Sequence, residues 1–187
     1  MIKRGVIYFL PTLIGLVLLV FSSVWSTERH VLIMDVEGAI NPATATFLER
    51  GLEEARKQEA DLVIVRLDTP GGLASSMRTM VKAIMNSPVP VVVYVAPRGA
   101  GAASAGVMVT ASAHVAAMAP GTNIGAAHPV SAGGRDIEKT MSEKVVNDMA
   151  SYGRSIAQEK GRNAEWVEKA IRESVSITAE EAVQKNV

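Results

Sequence analysis

The sequence predicts an α/β fold built on a largely parallel sheet. Short, apolar, β-rich runs recur at residues 30–36, 62–67, 90–95 and 115–118. Stretches with apolar residues at helical spacing, residues 42–58 and 74–85, separate the first three of these runs. Strand–helix–strand order is the signature of crossover units, and near-continuous apolar strands imply a sheet covered on both faces.

The elements follow in order. Residues 30–36 are apolar and Gly38 ends them. The next helix places Ala43, Phe47, Leu48, Leu52 and Ala55 at helical spacing. Residues 62–67 form a strand closed by Asp68-Thr69-Pro70-Gly71-Gly72. Met77, Met80, Val81, Ile84 and Met85 give the second helix its apolar face. After the third strand, residues 99–106 read as a small-residue loop and residues 107–113 as an apolar helix. Residues 115–118 are a fourth strand, and residues 120–130 a loop. Residues 137–160 read as one long helix, 164–173 as a shorter one and 180–185 as a last one. Thr178 and Glu181 have capping-box spacing. Val187 reads as the start of a further strand, which makes the chain a piece of something longer.

Residues 1–26 stand apart. Lys3 and Arg4 precede the uncharged residues 5–21, then come Ser22, Ser23, Val24 and Ser26, and the first acid is Glu28. A basic start, an apolar run and small residues at the exit describe a secretory signal peptide. The run is also just long enough for an uncleaved anchor. With the positive end inside, residues 27–187 face outward as one extracytoplasmic, membrane-associated domain.

Composition removes several functions. The chain has no cysteine, so thiolate nucleophiles and cysteine-ligated zinc are excluded. Nineteen basic residues balance nineteen acidic ones, which argues against a nucleic-acid-binding face. A 48% apolar and 20% charged composition is that of a globular protein.

Two glycine-rich loops after two strands hold the chemistry. In Asp68-Thr69-Pro70-Gly71-Gly72, consecutive glycines expose backbone N–H groups ahead of a helix, a ready oxyanion site. The second loop, residues 99–106, carries one hydroxyl, Ser104, among Ala and Gly. A serine at a strand-to-helix turn suits an acyl-transfer nucleophile; equally, Ser104 could simply cap the helix. In a parallel sheet both loops fall at the carboxyl edge of the strands, so nucleophile and oxyanion donors meet there. His30 and His114 open strands and read as structural. His128, in the next edge loop, is a candidate base. Lys139 and Lys144 are the other candidates, since a neutral lysine also takes a serine's proton.

The succession DTPGG, GAGAASAG, MAPGTNIGAAHPV and QEKGRNAEWVEKAI resembles the NfeD-type membrane-bound serine proteases, of the ClpP/signal-peptide-peptidase-A (crotonase-like) class. The resemblance covers residues from about 30 to 187. It implies repeated β-β-α/βα units around the parallel sheet, and a Ser–Lys dyad of Ser104 and Lys144. It also implies an oxyanion hole from the backbone of Gly71, Gly72 and Ala105. His128 becomes a cleft residue or the base of a Ser–His alternative, for which Glu143 or Asp148 could be third member. No cofactor or metal is implied. The implied substrate is an apolar peptide segment, such as one from a stomatin-like membrane partner, and the implied assembly is a homodimer or larger. Residues 131–140 are expected to be mobile and to order around substrate. Two rival readings are a crotonase acting on an acyl-thioester and a catalytically silent scaffold that binds a membrane partner.

Overall fold

The computed structural model describes residues 29–130 and 139–187. The predicted signal or anchor, residues 1–26, and most of the predicted mobile stretch lie outside the described residues. Among the described residues no helix is long and apolar enough to cross a membrane.

The first half of the domain is the predicted crossover array. Strand β1 (Val31–Glu37) leads through helix α1 (Pro42–Lys57) to β2 (Leu62–Asp68), then through α2 (Ala74–Met85) to β3 (Val91–Val95). Strand β5 (Val115–Met118) completes a four-stranded sheet of order β1-β2-β3-β5 with every pair parallel. Local chemistry starts α1 where it does. The Asn41 side chain accepts from the N–H groups of Ala43 and Thr44, Thr44 Oγ1 accepts from Asn41 N–H, and Pro42 sits at the first helical position.

One expectation fails here: among the described residues the sheet is covered on one face only. Val63, Val65, Leu67, Val91, Val93 and Val95 are fully buried, whereas the residues between them are partly exposed. Helices α1, α2 and α3 (Ala105–Ser112) pack on the inward face. The outward face carries Ile33 at 57% exposure, Val115 at 55% and the Asp35–Arg66 ion pair. A run of apolar residues therefore concealed a period of two. In α1 likewise, Ala45, Leu48, Leu52 and Ala55 face the core, while Phe47 is turned to solvent.

The second half folds differently from its prediction. Two stretches read as loops contain strands: β4 (Gly101–Ala103) and β6 (Asn123–Gly125). They pair in parallel, and β7 (Ser176–Thr178) adds antiparallel to β6. An isolated bridge between Thr69 and Ala102 ties this small sheet to the end of β2. Helix α4 (Lys139–Glu159) packs on α5 (Ala164–Arg172), and α6 (Ala179–Lys185) closes the chain. Thr178 and Glu181 form the predicted capping box. The Val187 N–H donates to Ala182 O at 3.0 Å, closing off α6.

Candidate active site

Ser104 lies between β4 and α3 with φ 54° and ψ −115°. That is the left-handed side of backbone space, costly for a residue with a Cβ. The neighbours enforce it: Ser104 N–H donates to Gly125 O at 2.9 Å, and Ala103 N–H to Thr69 O at 3.0 Å. Ser104 occupies the N-cap position of α3, yet its hydroxyl makes no capping bond. The side chain of Ser104 therefore does not cap the helix. A strained serine on a strand–turn–helix elbow presents its Oγ at the positive end of a helix.

The glycines of the first loop are closely packed, Gly71 against Ser104 and Gly72 against Ile40. A Cβ on Gly71 (φ +110°) would stand 2.5 Å from Ser104 Cβ and 2.9 Å from its Oγ. A Cβ on Gly72 would stand 2.0 Å from Ile40 O. Of the three expected oxyanion donors, the amides of Gly72 and Ala105 have no hydrogen-bond partner among the described residues. The Gly71 N–H is already engaged, donating to Thr69 Oγ1 at 3.0 Å. Gly71 thus contributes room rather than a free donor.

These groups open into a cleft of ≈ 510 Å³ walled by Leu73, Met77, Met108, Val130, Val145 and Met149, with Gly72, Ser104 and Ala105 at its floor. A larger opening of ≈ 690 Å³ borders Asp35, Glu37, Arg66 and Arg98 on the outward sheet face. It is charged and borders neither Ser104 nor the free amides, which line the smaller cleft.

The candidate bases lie on two segments that contribute to the cleft wall, helix α4 and residues 127–130. Lys144 is exposed on α4, next to Val145 of the cleft wall and one turn before Asp148. It forms no ion pair among the described residues. Lys139 is exposed at the start of α4. His128 is half-buried between two wall residues, Ala127 and Pro129, and its Nδ1–H donates to Ile171 O at 2.9 Å. A backbone carbonyl therefore holds the ring where a triad would place a carboxylate. Asp148 instead pairs with Arg78, whose guanidinium also lies 4.3 Å from the Tyr152 ring centroid. Glu143 is exposed.

The other histidines sit at the opposite, amino edge of the sheet. His30 N–H bonds Asp61, and His114 Nδ1 accepts from Val91 N–H at 3.1 Å. Burial, helped by the nearby Lys160 and Arg162 charges, lowers the His114 pKa from its ordinary value.

Sequence reasoning passed over three contributors. Asp68 Oδ1 accepts from Gly101 N–H at 3.0 Å and staples one loop to the other. Thr69, 2% exposed, bonds Gly71 and packs against Gly106. The Gly125 carbonyl fixes Ser104. The first two stand inside the DTPGG motif; the third leaves no local signal.

Residues 30–186 match the family model described as NfeD1b, N-terminal domain. The chain is 38% identical over 179 residues to the membrane-bound protease PH1510 of Pyrococcus horikoshii, an alignment covering 94% of this chain and 40% of that protein. The chain thus spans well under half the length of this curated relative. Two solved structures of the 1510-N membrane-bound stomatin-specific protease superpose closely. A serine-to-alanine mutant gives a TM-score of 0.80 at 39% identity, covering 86% of this chain and 78% of that one. A lysine-to-alanine mutant in complex with a substrate peptide gives 0.79 at 37%, covering 86% and 74%. ClpP1 from Listeria monocytogenes shares the fold, with a TM-score of 0.65 at 19% identity, covering 82% of this chain and 86% of that one. The chain belongs to the NfeD1b N-terminal-domain family and carries its ClpP-like protease fold.

Proposed function

We propose that this domain is a serine endopeptidase in which Ser104 is the nucleophile and Lys144 the general base. One observation carries the reading. A serine held at positive φ, with a hydroxyl free of capping duty, faces two unbonded backbone amides inside an apolar cleft. Ser104 Oγ attacks a peptide carbonyl, and neutral Lys144 takes its proton and returns it to the leaving amine. The amides of Gly72 and Ala105 receive the oxyanion. Water then cleaves the acyl-enzyme, activated by the same amine. The pair of mutant structures from the 1510-N protease, one at a serine and one at a lysine, supports this pairing.

The wall of Leu73, Met77, Met108, Val145 and Met149 suits apolar side chains. The substrate in this reading is an apolar segment of a stomatin-like membrane protein, cut outside the cytoplasm by a membrane-associated homo-oligomer. A second reading uses His128 as the base: its Nδ1–H···O=C bond to Ile171 leaves Nε2 as the proton acceptor.

Purified full-length chain incubated with a library of apolar peptides tests both. Ser104→Ala is expected to lower turnover by at least about a thousandfold, as removal of a nucleophile does. Lys144→Ala is expected to do the same, with His128→Ala retaining most activity. Near-normal turnover in Lys144→Ala together with an inactive His128→Ala would transfer the role to the histidine. Unimpaired cleavage by Ser104→Ala would sink the serine mechanism altogether.

A further inference from the structure

We infer that Thr69 is a positioning residue that aims the Gly72 oxyanion donor. The inference rests on the serine-peptidase reading and adds a part to it.

A trans peptide unit points its C=O and its N–H in opposite directions. The Gly71 carbonyl and the Gly72 amide belong to one such unit. Two donors grip that carbonyl: Ile40 N–H at 2.8 Å and the Thr69 hydroxyl at 3.3 Å. With the carbonyl pinned toward Ile40 and Thr69, the Gly72 N–H faces the other way. Gly72 and Ser104 both line the cleft, and the Gly72 N–H has no partner among the described residues. The amide is therefore free to donate to a group in the cleft.

Left to itself this peptide has little reason to hold still. Glycine flanks it on both sides, and glycine crosses backbone space at low cost. Thr69 supplies the missing constraint twice, because the same Oγ1 also accepts from Gly71 N–H at 3.0 Å. Being 2% exposed, the hydroxyl is not replaceable by bulk water. Its removal takes one of the two donors from the Gly71 carbonyl and leaves the neighbouring Gly71 N–H buried without a partner, so the Gly71–Gly72 peptide loses part of what fixes its rotation. The rest of Thr69 is fixed independently. Its N–H donates to Gly101 O, its carbonyl accepts from Ala103 N–H, and its methyl lies 2.7 Å from where a Gly106 Cβ would stand. A valine in its place keeps the backbone ties and the branched shape, and loses only the hydroxyl.

The test compares Thr69→Val with Thr69→Ser. Loss of one oxyanion donor lowers kcat about a hundred- to a thousandfold. Partial misorientation is expected to lower kcat at least tenfold in Thr69→Val while KM changes less than twofold. Thr69→Ser, which keeps the oxygen, is expected to recover kcat to within about threefold of the parent. A crystal structure of Thr69→Val is expected to show the Gly71–Gly72 peptide rotated, with its N–H turned out of the cleft. Parental kcat in Thr69→Val, equal losses in both variants, or an unrotated peptide would each overturn the inference. Peptide orientation is read without any turnover, so it decides the point even if Ser104→Ala shows the peptidase reading to be wrong.

Discussion

The serine side of the cleft is backbone held by backbone, whereas the lysine side is one face of an exposed helix. On the serine side, Ser104 N–H donates to Gly125 O, while Ile40 N–H and the Thr69 hydroxyl hold the Gly71 carbonyl, which leaves the Gly72 and Ala105 amides free. Little there depends on a flexible side chain. On the other side, α4 brings Val145 and Met149 to the wall and carries Lys144, exposed, beside Val145 in the chain. Outside its packing on α5, a polar clamp holds that helix: Arg78 of α2 bonds Asp148 and stacks on Tyr152. A backbone-built oxyanion site is pre-organised before substrate arrives. An exposed side chain on a long stem is ordered by whatever fills the cleft.

The sharpest way to break this contrast is at Gly71. Gly71→Ala puts a methyl group within 2.5 Å of Ser104 Cβ and forces an alanine to φ +110°. Turnover is expected to fall about a hundredfold or more, the effect of misplacing a reacting group by an ångström. The expected loss in thermal stability is only a few degrees. Equal loss of folding and activity, read by calorimetry beside the kinetics, would show that the glycine serves the fold instead.

Leu73 tests the wall. It is 44% exposed at the cleft mouth, so Leu73→Asp should leave the fold intact. It is expected to raise KM for apolar peptides about tenfold, the worth of one partly buried leucine contact, with little change in kcat. An unchanged KM would place the peptide elsewhere.

Arg78 tests the clamp on α4. An exposed ion pair plus a ring contact contributes about 1 kcal/mol. Arg78→Gln is therefore expected to slow turnover about threefold and to speed amide exchange in the first turns of α4. If exchange rises and turnover does not move, the clamp serves stability alone.

The smallest effect lies at the far edge of the sheet. The His114 pKa is lowered in the folded state, so the unfolded chain binds more protons just below the ordinary histidine pKa. The stabilisation is complete above about pH 6.5 and declines as pH falls below it. His114 is solvent-exposed, so the decline in Tm is slight, and His114→Asn is expected to remove it. A decline of the same size in that variant would assign it to other groups.

The amino-acid sequence by itself determined the crossover array, because β1 to β3 and their helices are long enough to display their periods. It also located Ser104 and the DTPGG turn, since small residues after apolar strands announce a close approach of backbone. Three-residue strands have no period to read, so β4, β6 and β7 emerged only from pairing between distant segments. The bare outward face of the sheet was hidden for a related reason: apolar residues such as Ile33, Ile64 and Val92 line that face as well. Tertiary structure alone decided that the Gly71 N–H is spent on Thr69, that His128 leans on Ile171 O and that Asp148 turns to Arg78. A hydrogen bond depends on where two groups meet in space, and only folding brings residues 128 and 171, or 78 and 148, into reach of one another.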